Sequence, residues 1–67
     1  MKLIVHVTAI RKANGLTQAD LAKLANVSRK TINTIENNVF VPSTILALTL
    51  AKVLDVSVHD LFELLDE

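Results

Sequence analysis

Between Leu16 and Ile35 the apolar residues fall three and four positions apart, the spacing that gathers them on one helical face. Leu21, Leu24 and Ala25 form one such set, with Gln18, Asp20 and Lys23 on its polar side. Ile32 and Ile35 form the next, and no other apolar residue lies between Arg29 and Glu36. So narrow a stripe predicts a helix that shows most of its surface to something other than the core. The segment from Ile45 to Leu54 reads the opposite way. It is apolar on nearly every side, which predicts a helix buried all round, either as a tightly enclosed core or, since so short a chain has little material to enclose it, partly in a dimer interface. Leu61, Phe62, Leu64 and Leu65 predict a last, short helix. At the start, Leu3, Val7 and Ile10 share one helical face, whereas the β-branched run Ile4-Val5 with Val7-Thr8 favours a strand. Spacing decides for a helix from about residue 3, and a strand pairing across a dimer is the alternative over residues 2–8.

Local chemistry sets the boundaries. Gly15 closes the first helix in a left-handed conformation, and Thr17 with Asp20 three positions on is a capping pair that opens the second. Asn26 interrupts that helix; Asn is the side chain that best tolerates the left-handed region. Ser28 caps a third helix that ends at Asn37-Asn38. Pro42 holds Val41 extended, and Ser43 caps a fourth helix from about Thr44 to Leu54. Ser57 and Asp60 open the fifth. The resulting expectation is an all-α fold of five short helices in a single domain, residues 1–67.

Composition narrows the function classes. Half of the 67 residues are hydrophobic, but only Phe40 and Phe62 are aromatic and there is no cysteine. Disulfide staples, thiolate metal sites and cysteine nucleophiles are excluded, and a domain this small leans on helix packing and oligomerisation. Net charge is zero, yet residues 1–38 hold six basic against two acidic side chains, +4, and residues 39–67 hold one against five, −4. That asymmetry predicts one positive and one acidic face. No apolar run approaches the roughly 20 residues that span a bilayer, and the first residues lack the pattern of a secretory leader, so a cytoplasmic protein without membrane association is expected.

Two short helices joined by a three- or four-residue turn, the second with exposed polar faces, make a helix-turn-helix over about residues 17–37. The run Leu16-Thr17-Gln18-Ala19-Asp20-Leu21-Ala22, followed by Val27-Ser28-Arg29-Lys30-Thr31-Ile32-Asn33-Thr34-Ile35-Glu36-Asn37, resembles the helix-turn-helix family of the phage Cro and lambda-repressor type. The resemblance continues through Pro42-Ser43 and Leu46-Ala47-Leu48 to Asp60-Leu61-Phe62. It implies a DNA-binding transcriptional regulator, a repressor acting as a homodimer on double-stranded DNA. It further implies that Arg29, Lys30, Asn33 and Thr34 face bases in the major groove, and that Thr17, Gln18, Ser28 and Asn37 meet phosphates. The chain departs from the family pattern in four places, one of them the stretch before Arg11, which is unusually apolar and lacks the family's common basic and acidic residues. Asn26 and Asn38 stand where glycine is usual, and Val39 stands where Lys or Arg often holds a phosphate, which implies weaker non-specific affinity.

Each of these residues also has a plainer reading. Arg29 and Lys30 are then solvated helix charges, Gln18 an ordinary exposed residue, and Asn37 only a helix end. Ala22, Val27 and Ile32 belong to the core, and Glu36 is an ion-pair partner for Arg11. His6 and His59 stand apart without neighbouring ligands, so no metal or cofactor is expected. Ser57, His59 and Asp60 crowd one helix start and cannot form a hydrolytic triad, so the chain is not expected to be an enzyme. The alternative function is a protein-interaction module, such as an antitoxin or anti-repressor partner, that uses the same fold with a protein partner.

Overall fold

A computed structural model describes residues 1–66. The element order is β1 (Lys2–Val5), α1 (Val7–Ala13), α2 (Gln18–Ala25), α3 (Arg29–Glu36), α4 (Thr44–Leu54), α5 (Val58–Leu61) and β2 (Phe62–Leu65). Side-chain caps open four of the five helices as the sequence predicts. Thr17 accepts from the Asp20 N–H and Asp20 accepts from the Thr17 N–H, a reciprocal box repeated by Ser57 and Asp60. Ser28 and Ser43 accept from Thr31 and Leu46. Such caps satisfy backbone donors that a helix start otherwise leaves orphaned. Gly15 lies at φ +70 and Asn26 at φ 59, the left-handed turns expected of them. Asn38 and Asp55 adopt the same region.

Three expectations are corrected. The fold is all-α only approximately, because residues 2–5 form a strand rather than a helical turn. Its partner is neither solvent nor a second copy but Phe62–Leu65 of the same chain, antiparallel, with Lys2 opposite Leu65 and Val5 opposite Phe62. Stiff β-branched side chains at Ile4 and Val5 suit that pleated edge. The second correction is the reciprocal one: the last helix stops at Leu61, and Phe62 turns extended at φ −134, ψ 135. A four-residue helix gains little from continuing alone, whereas β1 offers a ladder of hydrogen-bond partners. The His6 N–H donates to the Leu61 carbonyl at 2.8 Å and continues that ladder.

The third correction concerns α4. Leu50, Ala51 and Leu54 are buried, but Ile45 is 79% and Leu48 57% exposed. So few residues cannot surround a helix on every side. The core collects Val7, Leu21, Ala22, Ala25, Ile32, Ile35 and Leu61 around the inner face of α4, with Val27 packed half-buried against it. α2 and α3, which meet at that core, are thereby held at a fixed angle.

Candidate nucleic-acid interface

The turn between α2 and α3 runs from Asn26 to Ser28. Asn26 reverses the chain, and the N–H groups of Asn26 and Val27 close the end of α2 on the carbonyls of Lys23 and Ala22. α3 then leaves from the Ser28 cap. It buries Ile32 and Ile35 and shows its other faces, so the narrow stripe seen in the sequence has its structural counterpart. Arg29 and Lys30 are exposed in its first turn, which holds no acidic residue. The helix N-terminus adds its own positive potential there. A guanidinium, an ammonium and free N–H dipoles together favour phosphate oxygens and the acceptor-rich edges of bases.

A polar seam locks α3 to the elements beside it. Arg11 Nε donates to Glu36 Oε2 at 2.7 Å and its Nη2 to Oε1 at 3.1 Å, while Nη1 donates to the Leu16 carbonyl at 2.8 Å. The pair is enclosed, with side-chain exposures of 9% and 5%. Burial pushes the Glu36 carboxyl up. Hydrogen bonds from Arg11, Gln18 and Thr8, with the Arg11 charge, outweigh it and hold the group below its ordinary value. The hydrogen bond to Glu36 raises Arg11 in turn, against the opposing effect of burial. This is the ion pair the sequence reading assigned to Glu36.

From Glu36 the seam runs outward. Gln18 Nε2 donates to Glu36 Oε1 at 3.0 Å, Asn33 Nδ2 to Gln18 Oε1 at 3.4 Å, and Asn37 Nδ2 to Asn33 Oδ1 at 3.1 Å. A carboxylate only accepts, so Gln18 must turn its NH2 inward and its oxygen towards Asn33. The structure therefore brings Gln18, Asn33 and Asn37 into one line from the core to the surface. Arg29 and Lys30 stand apart from it. Thr17 and Ser28 have their hydroxyls committed to caps, and Thr34 Oγ1 donates to the Thr31 carbonyl at 2.9 Å.

Sequence reasoning missed two features. One is the Gln18–Asn33 link, which depends on how two helices cross. The other is an open hollow that Val39 and Phe40 line with Lys30 and Thr34. The short apolar loop Val39-Phe40-Val41 after Asn37-Asn38 is legible in the sequence, but not that it folds back against α3. Among the described residues there is no cluster of three or more metal-ligating side chains, and no helix is long and apolar enough to cross a membrane.

A family profile described as helix-turn-helix matches residues 7–61. An uncharacterized helix-turn-helix-type transcriptional regulator of Methanocaldococcus jannaschii is 46% identical over 52 residues, 78% of this chain and 79% of its own length. Among solved structures, the restriction-modification controller protein C.AhdI from Aeromonas hydrophila is similar with a TM-score of 0.77 and 30% identity, over 81% of this chain and 82% of that one. The N-terminal DNA-binding domain of SinR from Bacillus subtilis gives a TM-score of 0.73 and 35% identity, over 79% and 78% of the two chains.

Proposed function

The chain belongs to the helix-turn-helix family of the Cro and lambda-repressor type, and on that premise we propose that it is a sequence-specific transcriptional regulator which binds a pseudo-palindromic operator as a homodimer and represses by occupying it. The observation that carries this reading is α3, anchored by Ile32 and Ile35 and exposed at Arg29 and Lys30. In this reading Arg29, Lys30, Asn33 and Thr34 contact bases in the major groove. Asn37 and Gln18 each keep one amide hydrogen beyond those held by Asn33 and Glu36 and donate it to phosphates, and Thr17 and Ser28, with hydroxyls already engaged, meet the backbone at the helix starts. Phosphate contacts set register and base contacts set sequence.

The homodimer is supported by the apolar face that α4 leaves in water. Ile45 and Leu48 are exposed there beside a hollow of about 260 Å³ lined by Leu3, Val41, Ala47 and Phe62. Joining two such faces gives a two-fold axis, and two recognition helices that read adjacent major grooves must then lie roughly 34–36 Å apart, one turn of DNA. In this reading the helix-turn-helix domain works in the cytoplasm and has no enzymatic role.

Selection of bound sequences from a randomised DNA pool tests the reading. A recovered pseudo-palindrome with half-sites one turn apart is the expected result, and its placement before a reporter gene should lower expression. No recovered motif from a folded protein would move the assignment to the second reading, a protein-interaction module. Val39, in place of a basic residue, and its 77% exposure favour that second reading. A salt titration separates the two, because affinity through phosphates falls steeply with salt and an apolar protein interface hardly responds.

A further inference from the structure

The loop that follows α3 is apolar where the candidate interface is otherwise polar, and it is held in place. Val39 is 77% and Phe40 46% exposed. The N–H groups of both donate to the Thr34 carbonyl, at 2.9 and 3.2 Å. Asn38 turns the chain at φ 60, and its side-chain amide donates to the Leu3 carbonyl at 3.2 Å. The loop therefore folds back along α3, and Val39, Phe40, Lys30 and Thr34 share an open hollow of about 330 Å³ whose wall is completed by Ser28 and Thr31.

Two of the three hydroxyl protons of that wall are spent within the protein. Thr34 Oγ1 donates to the Thr31 carbonyl, and one of the Ser28 and Thr31 hydroxyls donates to the other at 2.9 Å. Beyond the one remaining hydroxyl proton, the hollow offers a visitor apolar surface with an ammonium beside it, and Lys30 has no ion-pair partner among the described residues. In the major groove, thymine alone combines a methyl group with a neighbouring acceptor, O4. Cytosine presents an amino donor, which an ammonium disfavours, and adenine, though its N7 accepts, carries an amino donor and no methyl. Guanine presents two acceptors and nothing to fill an apolar hollow.

We propose that Val39 and Phe40, with Lys30 beside them, read a thymine: the methyl group enters the hollow and O4 accepts from Lys30. This inference rests on the DNA-binding reading and names specificity-determining residues outside the two helices of the motif. The hollow is continuous with the positions assigned there to base contact, Lys30 and Thr34, which makes a base its occupant.

The test replaces each thymine of the selected operator, one at a time, by deoxyuridine, which removes only the methyl. One position in each half-site should bind about four-fold more weakly, the worth of one buried methyl, and the others should be neutral. In Val39→Ala and Phe40→Ala proteins, whose exposed positions leave the core intact, that four-fold difference should shrink towards one. An operator with no thymine sensitive to loss of its methyl overturns the inference and leaves the regulator standing. The same holds if the sensitivity survives both substitutions. Failure to select any DNA sequence overturns both.

Discussion

α3 and α4 follow one another in the chain and fall short of full burial in opposite ways. α3 buries two isoleucines and exposes a polar, basic surface that water solvates well. α4 buries Leu50, Ala51 and Leu54 and leaves Ile45 and Leu48 in water, where removing apolar area is worth roughly 25 cal/mol per Å². The contrast teaches that exposed surface is not one kind of thing. One helix is stable as it stands and suited to a charged, hydrogen-bonding partner, whereas the other carries an unmet apolar face suited to a second protein surface.

The contrast is most exposed to failure where α3 is tied down. Glu36→Ala leaves the enclosed Arg11 charge without its partner, and about 3–5 kcal/mol of stability should be lost in chemical denaturation. On α4, Leu50→Ala should cost about 2–5 kcal/mol. Ile45→Ala on the outer face should cost under about 0.5 kcal/mol at concentrations where the protein is monomeric. Equal losses at the two positions would erase the two-faced description of that helix.

On α3 the sign of the contrast reverses. Arg29→Ala or Lys30→Ala should leave thermal stability unchanged and weaken operator binding by about 1–3 kcal/mol, with relaxed base preference at one position. Gln18→Ala should weaken binding to every sequence alike, by about 1 kcal/mol, because its reading is phosphate contact. A change in base preference would move Gln18 into the base-reading set.

The smallest effect is the response to acid. Folding depresses the Glu36 carboxyl from its ordinary 4.5, so its contribution is complete above that pH and is lost as pH falls through the lower folded value. Denaturation midpoints should decline below about pH 4.5, and Glu36→Gln should flatten that decline while lowering stability at neutral pH.

Legibility in the sequence follows the range of the interaction concerned. The caps at Thr17, Ser28, Ser43 and Ser57 and the turns at Gly15 and Asn26 are chemistry within four residues, and all stand as the sequence predicts. The Arg11–Glu36 pair was also legible, since only two acidic residues, Asp20 and Glu36, occur in the first 38 positions. The sheet was not. Leu3, Val7 and Ile10 happen to share a helical spacing, and the partner that decides for a strand lies some sixty positions away. The exposed side of α4 was legible only in part: periodicity reports that every face is apolar and the chain length that little protein is present to cover them, but neither says which face is left in water. At the candidate site the residues of α2 and α3 were individually legible, whereas the order in which Gln18, Asn33 and Asn37 join hands depends on the crossing of two helices.

The sheet has a kinetic consequence. Every helix here can form from neighbours in the chain, but β1 and β2 meet only after nearly the full length has been drawn into a loop, with Lys2 placed opposite Leu65. Loop closure of that size is entropically costly until the intervening helices have shortened the path. The clasp is therefore expected to close late in folding. The Asn38 link to Leu3 closes and opens with it, so the loop after α3, tethered locally to the Thr34 carbonyl, gains its second tether when the two ends of the fold meet.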